Sequence, residues 1–254
     1  MDDAQLLRYS RHILLDELGP DAQARFAAAH ALVVGVGGLG APAAHFLAAA
    51  GIGTLTLCDD DRVDLTNLQR QILFATADVG ARKVDAAAAR LAAINPEIAI
   101  ECVARRVAGD DLAALVADAS VVLDCSDNFA TRHAVNRACV AARVPLVSGA
   151  AIRFDGQVAV FDARDATSPC YHCLFGEGDE LEETRCATMG VFAPLVGIIG
   201  ATQAGEALKL VAGAGESLAG RLLMVDALTM RWRDVRVPRD AACAVCGSGA
   251  GNAR

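Results

Sequence analysis

The run Gly35-Val36-Gly37-Gly38-Leu39-Gly40 stands between an apolar stretch and an alanine-rich one. In that context a G-x-G-x-x-G motif reads as strand, tight turn and helix start. Glycine lets the backbone approach a phosphate, and a helix N-terminus offers free N–H groups and a partial positive charge. Gly37 and Gly38 are therefore expected to meet a nucleotide. Asp59, about 20 residues beyond the last glycine of the motif, is placed to accept a hydrogen bond from a ribose hydroxyl. Alone, the pattern suits NAD, FAD or another adenine nucleotide, and a purely structural tight turn stays open.

The segment Asp59-Asp60-Asp61-Arg62-Val63-Asp64-Leu65-Thr66-Asn67-Leu68-Gln69-Arg70-Gln71 follows the second apolar run. A hydride-transfer site has no use for an arginine and several amides here, whereas a site that cleaves a triphosphate does. Lys83 is one of only two lysines in a chain with 23 basic residues. A compact ammonium among phosphate oxygens is one reason to keep a lysine there, and a solvated helix surface is the other. Asp127, in Asp124-Cys125-Ser126-Asp127-Asn128, is suited to Mg²⁺, a hard ion that takes one carboxylate plus phosphate oxygens. Either Asp127 or Asn128 is also suited to capping the next helix.

Cys170-Tyr171-His172-Cys173 and Cys243-Ala244-Val245-Cys246 are two matched C-x-x-C turns separated by a long stretch of chain. Four thiolates in that arrangement make a closed tetrahedral Zn²⁺ site, structural because no position stays open for water. Cys186 lies in a polar loop ahead of an apolar helix, where Arg185 and the helix N-terminus favour its thiolate. A small residue packed under the loop is the alternative. Cys58, Cys102, Cys125 and Cys139 read as buried small apolar residues.

These groups need a scaffold, and the pattern supplies one. Apolar runs at Ala31 to Val36, Thr54 to Cys58, Ile98 to Val103, Ser120 to Asp124 and Pro145 to Ser148 alternate with helical runs at Leu39 to Ala50, Ala81 to Ile94, Asp111 to Asp118 and Thr131 to Ala142. Strand-helix-strand repetition means an α/β fold with a Rossmann-like, doubly wound, mostly parallel sheet. From residue 151 the pattern changes to antiparallel strands. Ile152 to Phe161 is broken by Asp155-Gly156, read as a hairpin turn. A long apolar helix near 191 to 211 and two closing strands, Arg221 to Asp226 and Trp232 to Val237, complete the expectation. The first 28 residues read as two helices with Leu6, Leu7, Ile13, Leu14 and Leu18 on helical spacing.

Composition excludes several classes. The chain has 254 residues, 54% hydrophobic and 21% charged, with a net charge of −8, which fits a globular fold and a poor nucleic-acid binder. The most apolar stretch, Met189 to Ala201, is broken by glycine and proline and is too short to cross a bilayer, so no membrane is expected. No leader-like segment opens the sequence, and nine cysteines with C-x-x-C spacing fit reduced thiols and metal better than disulfides. A cytoplasmic chain is the expectation.

Taken together, Arg8-Tyr9-Ser10-Arg11, the glycine loop, Asn67-Leu68-Gln69-Arg70-Gln71, Asp127-Asn128, the paired cysteine motifs and Gly190-Val191-Phe192-Ala193-Pro194-Leu195-Val196-Gly197 resemble the ThiF/MoeB family of ubiquitin-activating-type enzymes. The resemblance runs from about residue 5 to 246. It implies ATP-dependent adenylation of the C-terminal glycine of a ubiquitin-like sulfur-carrier protein ending in Gly-Gly, within a homodimer. Molybdopterin and thiamine pathways are both implied. Adenylation of a carboxylate needs no general base, which fits five scattered histidines. Arg70 and Lys83 are then the cations of the chain's own site, and Arg11 matches the family arginine that reaches the partner subunit's site. Cys186 matches the family's loop cysteine, which links to the carrier or takes part in sulfur transfer. The nucleotide set is Gly37, Gly38, Asp59, Asp61, Thr66, Asn67, Leu68, Gln69, Arg70, Lys83, Asp127 and Asn128. The expected organisation is a helical arm over 1–28, a nucleotide-binding region over 29–165, and a crossover, zinc-binding and carrier-binding region over 166–254. Sulfur is expected from a separate sulfurtransferase or cysteine desulfurase. A nicotinamide-dependent oxidoreductase, a non-catalytic docking module, or a tRNA-modifying dehydratase of the same superfamily are the other readings.

Overall fold

The structure, a computed structural model, describes residues 1–176 and 189–247. Three short helices come first: α1 (Asp3–Arg8), α2 (Ser10–Ile13) and α3 (Gly19–Ala28). Five parallel strands follow, β1 (His30–Val34), β2 (Thr54–Cys58), β3 (Ala99–Val103), β4 (Val121–Asp124) and β5 (Leu146–Ile152). Three antiparallel strands, β6 (Asp155–Phe161), β7 (Arg221–Asp226) and β8 (Arg231–Arg236), extend the same sheet. The spatial order is β3-β2-β1-β4-β5-β6-β7-β8. The chain leaves β1 toward β2 on one side and resumes at β4 on the other, so the order reverses between β1 and β4. Open α/β sheets bind ligands at such a crevice, outside the carboxyl ends of the strands.

Both faces of the central parallel part are covered, and Ala31–Val34 of β1 and Val121–Leu123 of β4 are apolar and buried at every position for that reason. Ala31 and Val33 of β1 enter one core cluster, while Leu32 and Val34 enter another on the opposite face. α4 (Gly40–Ala50), α5 (Lys83–Ile94) and the 20-residue α9 (Ala193–Ala212) cover the first face together with α3; α6 (Gly109–Ala117) and α7 (Phe129–Ala142), joined by the short α8 (Tyr171–Leu174), cover the second. Alanines make α4 slim enough to lie close to both the sheet and α9, and Gly51, with φ of +85°, terminates it in the left-handed conformation.

Several expectations need correction. Asp155-Gly156 is not the hairpin turn: Ile152 pairs with Asp155, so Arg153 and Phe154 make the turn and Gly156 lies inside β6. A Cβ at Gly156 would fall 2.7 Å from the Ile199 side chain, so glycine is there for the close approach of α9. The N-terminal arm has three helices instead of two, and Leu7 and Leu14 are 77% and 70% exposed. Helix α9 outruns the apolar stretch that opens it. By length and composition it is long and apolar enough to cross a membrane, yet Leu195 and Ile199 are fully buried and it packs against α4, β5 and β6. Cys102, on the edge strand β3, is exposed, unlike Cys58, Cys125 and Cys139.

Candidate functional site

The loops after β1, β2 and β4 converge at the order reversal. Gly35, with φ of +89°, lets the first loop turn against the third: a Cβ there would stand 2.8 Å from the Cys125 carbonyl oxygen. At Gly40 a Cβ would meet the Gly35 carbonyl oxygen at 1.9 Å, so the turn closes only on glycine. Gly37 faces the Gln71 carboxamide, and Gly38 packs on Val196 of α9.

Asp59 braces this loop. One carboxylate oxygen accepts from the Val36 N–H at 2.7 Å and the other from the Asp61 N–H at 2.9 Å. Burial pushes its carboxyl above the usual range, against the pull of the Lys83 charge and the two amides. Lys83, the first residue of α5, is not a solvated surface lysine. Its side chain is 6% exposed and its Nζ donates to Asp61 Oδ2 at 2.7 Å, while Asp61 is 67% exposed. The pair thus presents a fixed ammonium behind a carboxylate that opens to solvent.

The 64–71 segment is held by its own side chains. Asp64 accepts from the backbone N–H and hydroxyl of Thr66, which hold its carboxyl below the usual range, and Asn67 Oδ1 accepts from the Asp64 N–H. The hydroxyl of Thr66 is therefore used inside the turn. Leu68 packs on the core, Gln69 is exposed, and Arg70 Nη1 donates to the Thr66 carbonyl at 3.0 Å. Gln71, only 4% exposed, leaves its Oε1 without a partner among the described residues. Sequence reasoning gave Gln71 no role, although it stands in the same motif as Arg70.

At the end of β4 the two competing roles separate. Asn128 Oδ1 accepts from the Thr131 N–H at 2.9 Å and caps α7; Asp127 is exposed, with the Asn128 amide 3.5 Å from its carboxylate. Asp127 is thus left over from capping and suited as a single carboxylate for Mg²⁺ beside phosphates. Beneath it, fully buried Asp124 accepts from the backbone N–H and hydroxyl of Ser126 and from the Ser148 hydroxyl, and Arg132 donates to the Ser126 carbonyl at 2.7 Å. This bracing under the loop gave no signal in the sequence beyond polar residues near a strand end.

The four paired cysteines come together. Their sulfurs lie within 4.8 Å of one another, with separations of 3.9 Å for Cys170 and Cys173, 3.7 Å for Cys170 and Cys243, and 3.4 Å for Cys173 and Cys246. A tetrahedral zinc with bonds of about 2.3 Å requires sulfurs about 3.8 Å apart, so the quartet fits that ion. Backbone N–H groups of Cys170 and Val245 and the Asn136 amide point at the sulfurs, as ligand-orienting groups do. The quartet sits beside α7, on the opposite face of the sheet from α4 and its glycine loop. Burial pushes the Cys170 and Cys173 thiols up, so a cation is what would hold them as thiolates.

Arg11 is exposed on α2, away from the chain's own glycine loop. Cys186 lies outside the described residues. The histidines are structural where contacts are described: His30 bridges Thr56 and the Asp118 carbonyl, and His133 meets the Tyr171 ring edge-on.

Comparison with known proteins places these features in context. The model of the ThiF family matches residues 9–245. Molybdopterin-synthase adenylyltransferase of Escherichia coli is 47% identical over 250 residues, covering 97% of this chain and 98% of its own length. Sulfur carrier protein ThiS adenylyltransferase of the same organism is 45% identical over 251 residues, 97% of each chain. Among solved structures, E. coli MccB with ATP superposes with a TM-score of 0.82 at 25% identity, covering 94% of this chain and 74% of that one.

Proposed function

The chain belongs to the ThiF family, and we propose that it is an ATP-dependent adenylyltransferase that activates the C-terminal glycine carboxylate of a ubiquitin-like sulfur-carrier protein. The observation that carries this reading is the buried Lys83 ammonium behind exposed Asp61, beside a glycine loop braced by Asp59. Similarity over nearly the whole chain to two adenylyltransferases supports the same reading.

The carrier carboxylate is ionised at neutral pH and attacks the α-phosphorus of ATP; the new C–O–P bond forms as the bond to pyrophosphate breaks. No group has to remove a proton. The barrier is charge, so the residues that matter are donors and cations held in place before the reaction. Asp59 would hold the ribose, and the Gly37 and Gly38 backbone would line the phosphates. Lys83, Asn67, Gln69 and Arg70 would meet phosphate oxygens, one of which would take the place of the Asp61 carboxylate at the Lys83 ammonium. Asp61, Thr66 and Leu68 would shape that wall, and Asn128 would fix Asp127 through its cap. Asp127 would hold Mg²⁺, which neutralises phosphate charge when bound. The four cysteines would hold Zn²⁺ as a structural tie between 170–173 and 243–246. Cys186 is kept as the thiol that would join the carrier or pass sulfur.

The functional units we propose are an arm over 1–28, the nucleotide-binding region over 29–165 and the crossover, zinc-binding and carrier-binding region over 166–254, in one continuous domain. A homodimer is supported by the exposed leucines of the arm. Its Arg11 would complete the second copy's site. A separate sulfurtransferase or cysteine desulfurase would supply sulfur, and the cytoplasm fits eight described cysteines, all free. The test is ATP–pyrophosphate exchange with carriers ending in Gly-Gly. Exchange that depends on the carrier's final glycine is expected; NAD(H) binding without exchange would overturn the reading.

A further inference from the structure

Between Met1 and Asp21, Tyr9 is the only buried residue, and α1 and α2 bury nothing of their own. Its ring occupies a socket that only a glycine leaves open: a Cβ at Gly51 would fall 2.7 Å from the ring. The Tyr9 hydroxyl donates to Glu97 Oε2 at 3.1 Å and accepts from Asn95 Nδ2 at 2.9 Å. Asn95 is fully buried and also donates to the Ala48 carbonyl at 2.8 Å. Arg8 adds a bond to the Ile94 carbonyl and an ion pair with Glu97.

Every part of this socket belongs to the C-terminal ends of α4 and α5. Their N-terminal ends carry the glycine loop and Lys83. With 11 and 12 residues, the two helices are about 16 and 18 Å long, so the socket lies at the end remote from the chain's own nucleotide site. Arg11 follows Tyr9 by two residues on α2, about 3 Å further along the helix axis.

We propose that Tyr9 is the positioning residue of Arg11: by locking the arm onto the far ends of α4 and α5, it sets the reach of Arg11 into the second copy's site. This rests on the reading of Arg11 as acting across a dimer. Displacing a catalytic group by about 1 Å can cost about a hundredfold in rate, which is the size of loss expected for Tyr9→Ala; Tyr9→Phe, which keeps the ring and loses only the hydroxyl bonds, should lose less.

The experiment uses full-length heterodimers, made by co-expression with two affinity tags and assayed by carrier-dependent pyrophosphate exchange. In one arrangement Tyr9→Phe or Tyr9→Ala shares a chain with Asp127→Ala, and the other chain is unaltered. In the second, the two substitutions are on different chains. Low activity when they share a chain and near half the unaltered activity when they are separate is the expected result, with thermal midpoints alike in both. Equal activity in the two arrangements, or the opposite order, overturns the positioning role. Arg11→Ala is run in the same two arrangements. If Arg11 shows the cross-chain pattern and Tyr9 does not, this inference alone fails. If Arg11 itself lacks the pattern, or the chain is a monomer at assay concentration, the cross-dimer reading beneath it fails.

Discussion

Lys83 Nζ lies 2.7 Å from Asp61 Oδ2, with the lysine side chain 6% exposed and the aspartate 67% exposed. The asymmetry is informative: the cation is buried and its partner is the solvated member. A phosphate oxygen entering from solvent can take the place of the carboxylate without moving the ammonium. Lys83→Ala should therefore lower pyrophosphate exchange by about a hundredfold to a thousandfold. Lys83→Arg, which exchanges a compact ammonium for a planar fork, should not restore it. Steady-state kinetics on both variants, with circular dichroism to show the fold is kept, check this.

Asn128 and Asp127 are adjacent and should fail in different ways. Asn128→Ala removes the cap of α7 and should cost about 1 kcal/mol of stability. Asp127→Ala alters an exposed side chain and should shift stability by less than about 0.5 kcal/mol while abolishing exchange. Denaturant unfolding and an exchange assay, run side by side, separate the two. Comparable loss of stability in both variants would sink the assignment.

Burial pushes the Cys58 thiol up to about 12, and it raises Cys125 and Cys139 as well. Thiolate is the nucleophile, so none of the three should react with iodoacetamide at pH 8 in the native protein. Exposed Cys102 should react before them. The folded chain holds the Cys58 proton more tightly than the unfolded chain. Stability from this group is thus complete below the ordinary thiol value of about 8.5 and is lost as pH rises toward 12. Peptide mass spectrometry after timed labelling reads the first point, and unfolding in alkali the second.

Metal analysis of the purified protein should give about one zinc per chain. Cys243→Ser should bind less zinc and unfold at lower temperature. Chelation should make Cys170, Cys173, Cys243 and Cys246 available to alkylation together. Protein with no zinc and an unchanged thermal midpoint would exclude a structural metal.

Leu7 and Leu14 are the most exposed apolar residues of the arm. Replacing both with Asp should leave the monomer fold intact, since neither is part of the core, and should split a dimer. Analytical ultracentrifugation at several concentrations measures the outcome. A dimer that survives both charges would place the interface elsewhere.

The convergence of the glycine loop and the Asp59 segment at one edge of the sheet was legible in the sequence because its signals are local. Glycines at Gly35 to Gly40 must sit between a strand and a helix to be useful, and Asp59 stands at a fixed distance along the chain. The cysteine quartet was legible for the same reason, each half being a short motif. What escaped was set by tertiary contact. Gly156 reads as a turn residue beside Asp155, yet it serves the passage of Ile199 over β6, which no local pattern encodes. Cys102 looks like its three buried counterparts because the sequence does not say which strand lies at the edge. The burial of Lys83 depends on Asp61, and that of Tyr9 on Gly51, Asn95 and Glu97. The first pairing closes the long connection between β2 and α5 and the second seats the arm on the ends of α4 and α5, and no short motif encodes either closure.

The cysteine quartet and the glycine loop stand on opposite faces of one sheet, and the sheet is a partition between two vulnerabilities. An oxidant that converts the thiols to disulfides removes the ligands of a metal, but the shortest sulfur separations, Cys173 to Cys246 and Cys170 to Cys243, join the two turns, so the tie between 170–173 and 243–246 on the α7 face becomes covalent. The described contacts of the four sulfurs run to one another, to Asn136 and to backbone groups, those of residues 170 and 245 among them, and none of them reaches Lys83, Asp59 or the loop. Oxidation would therefore first appear as a chain that has lost the capacity for metal while its C-terminal turn stays anchored.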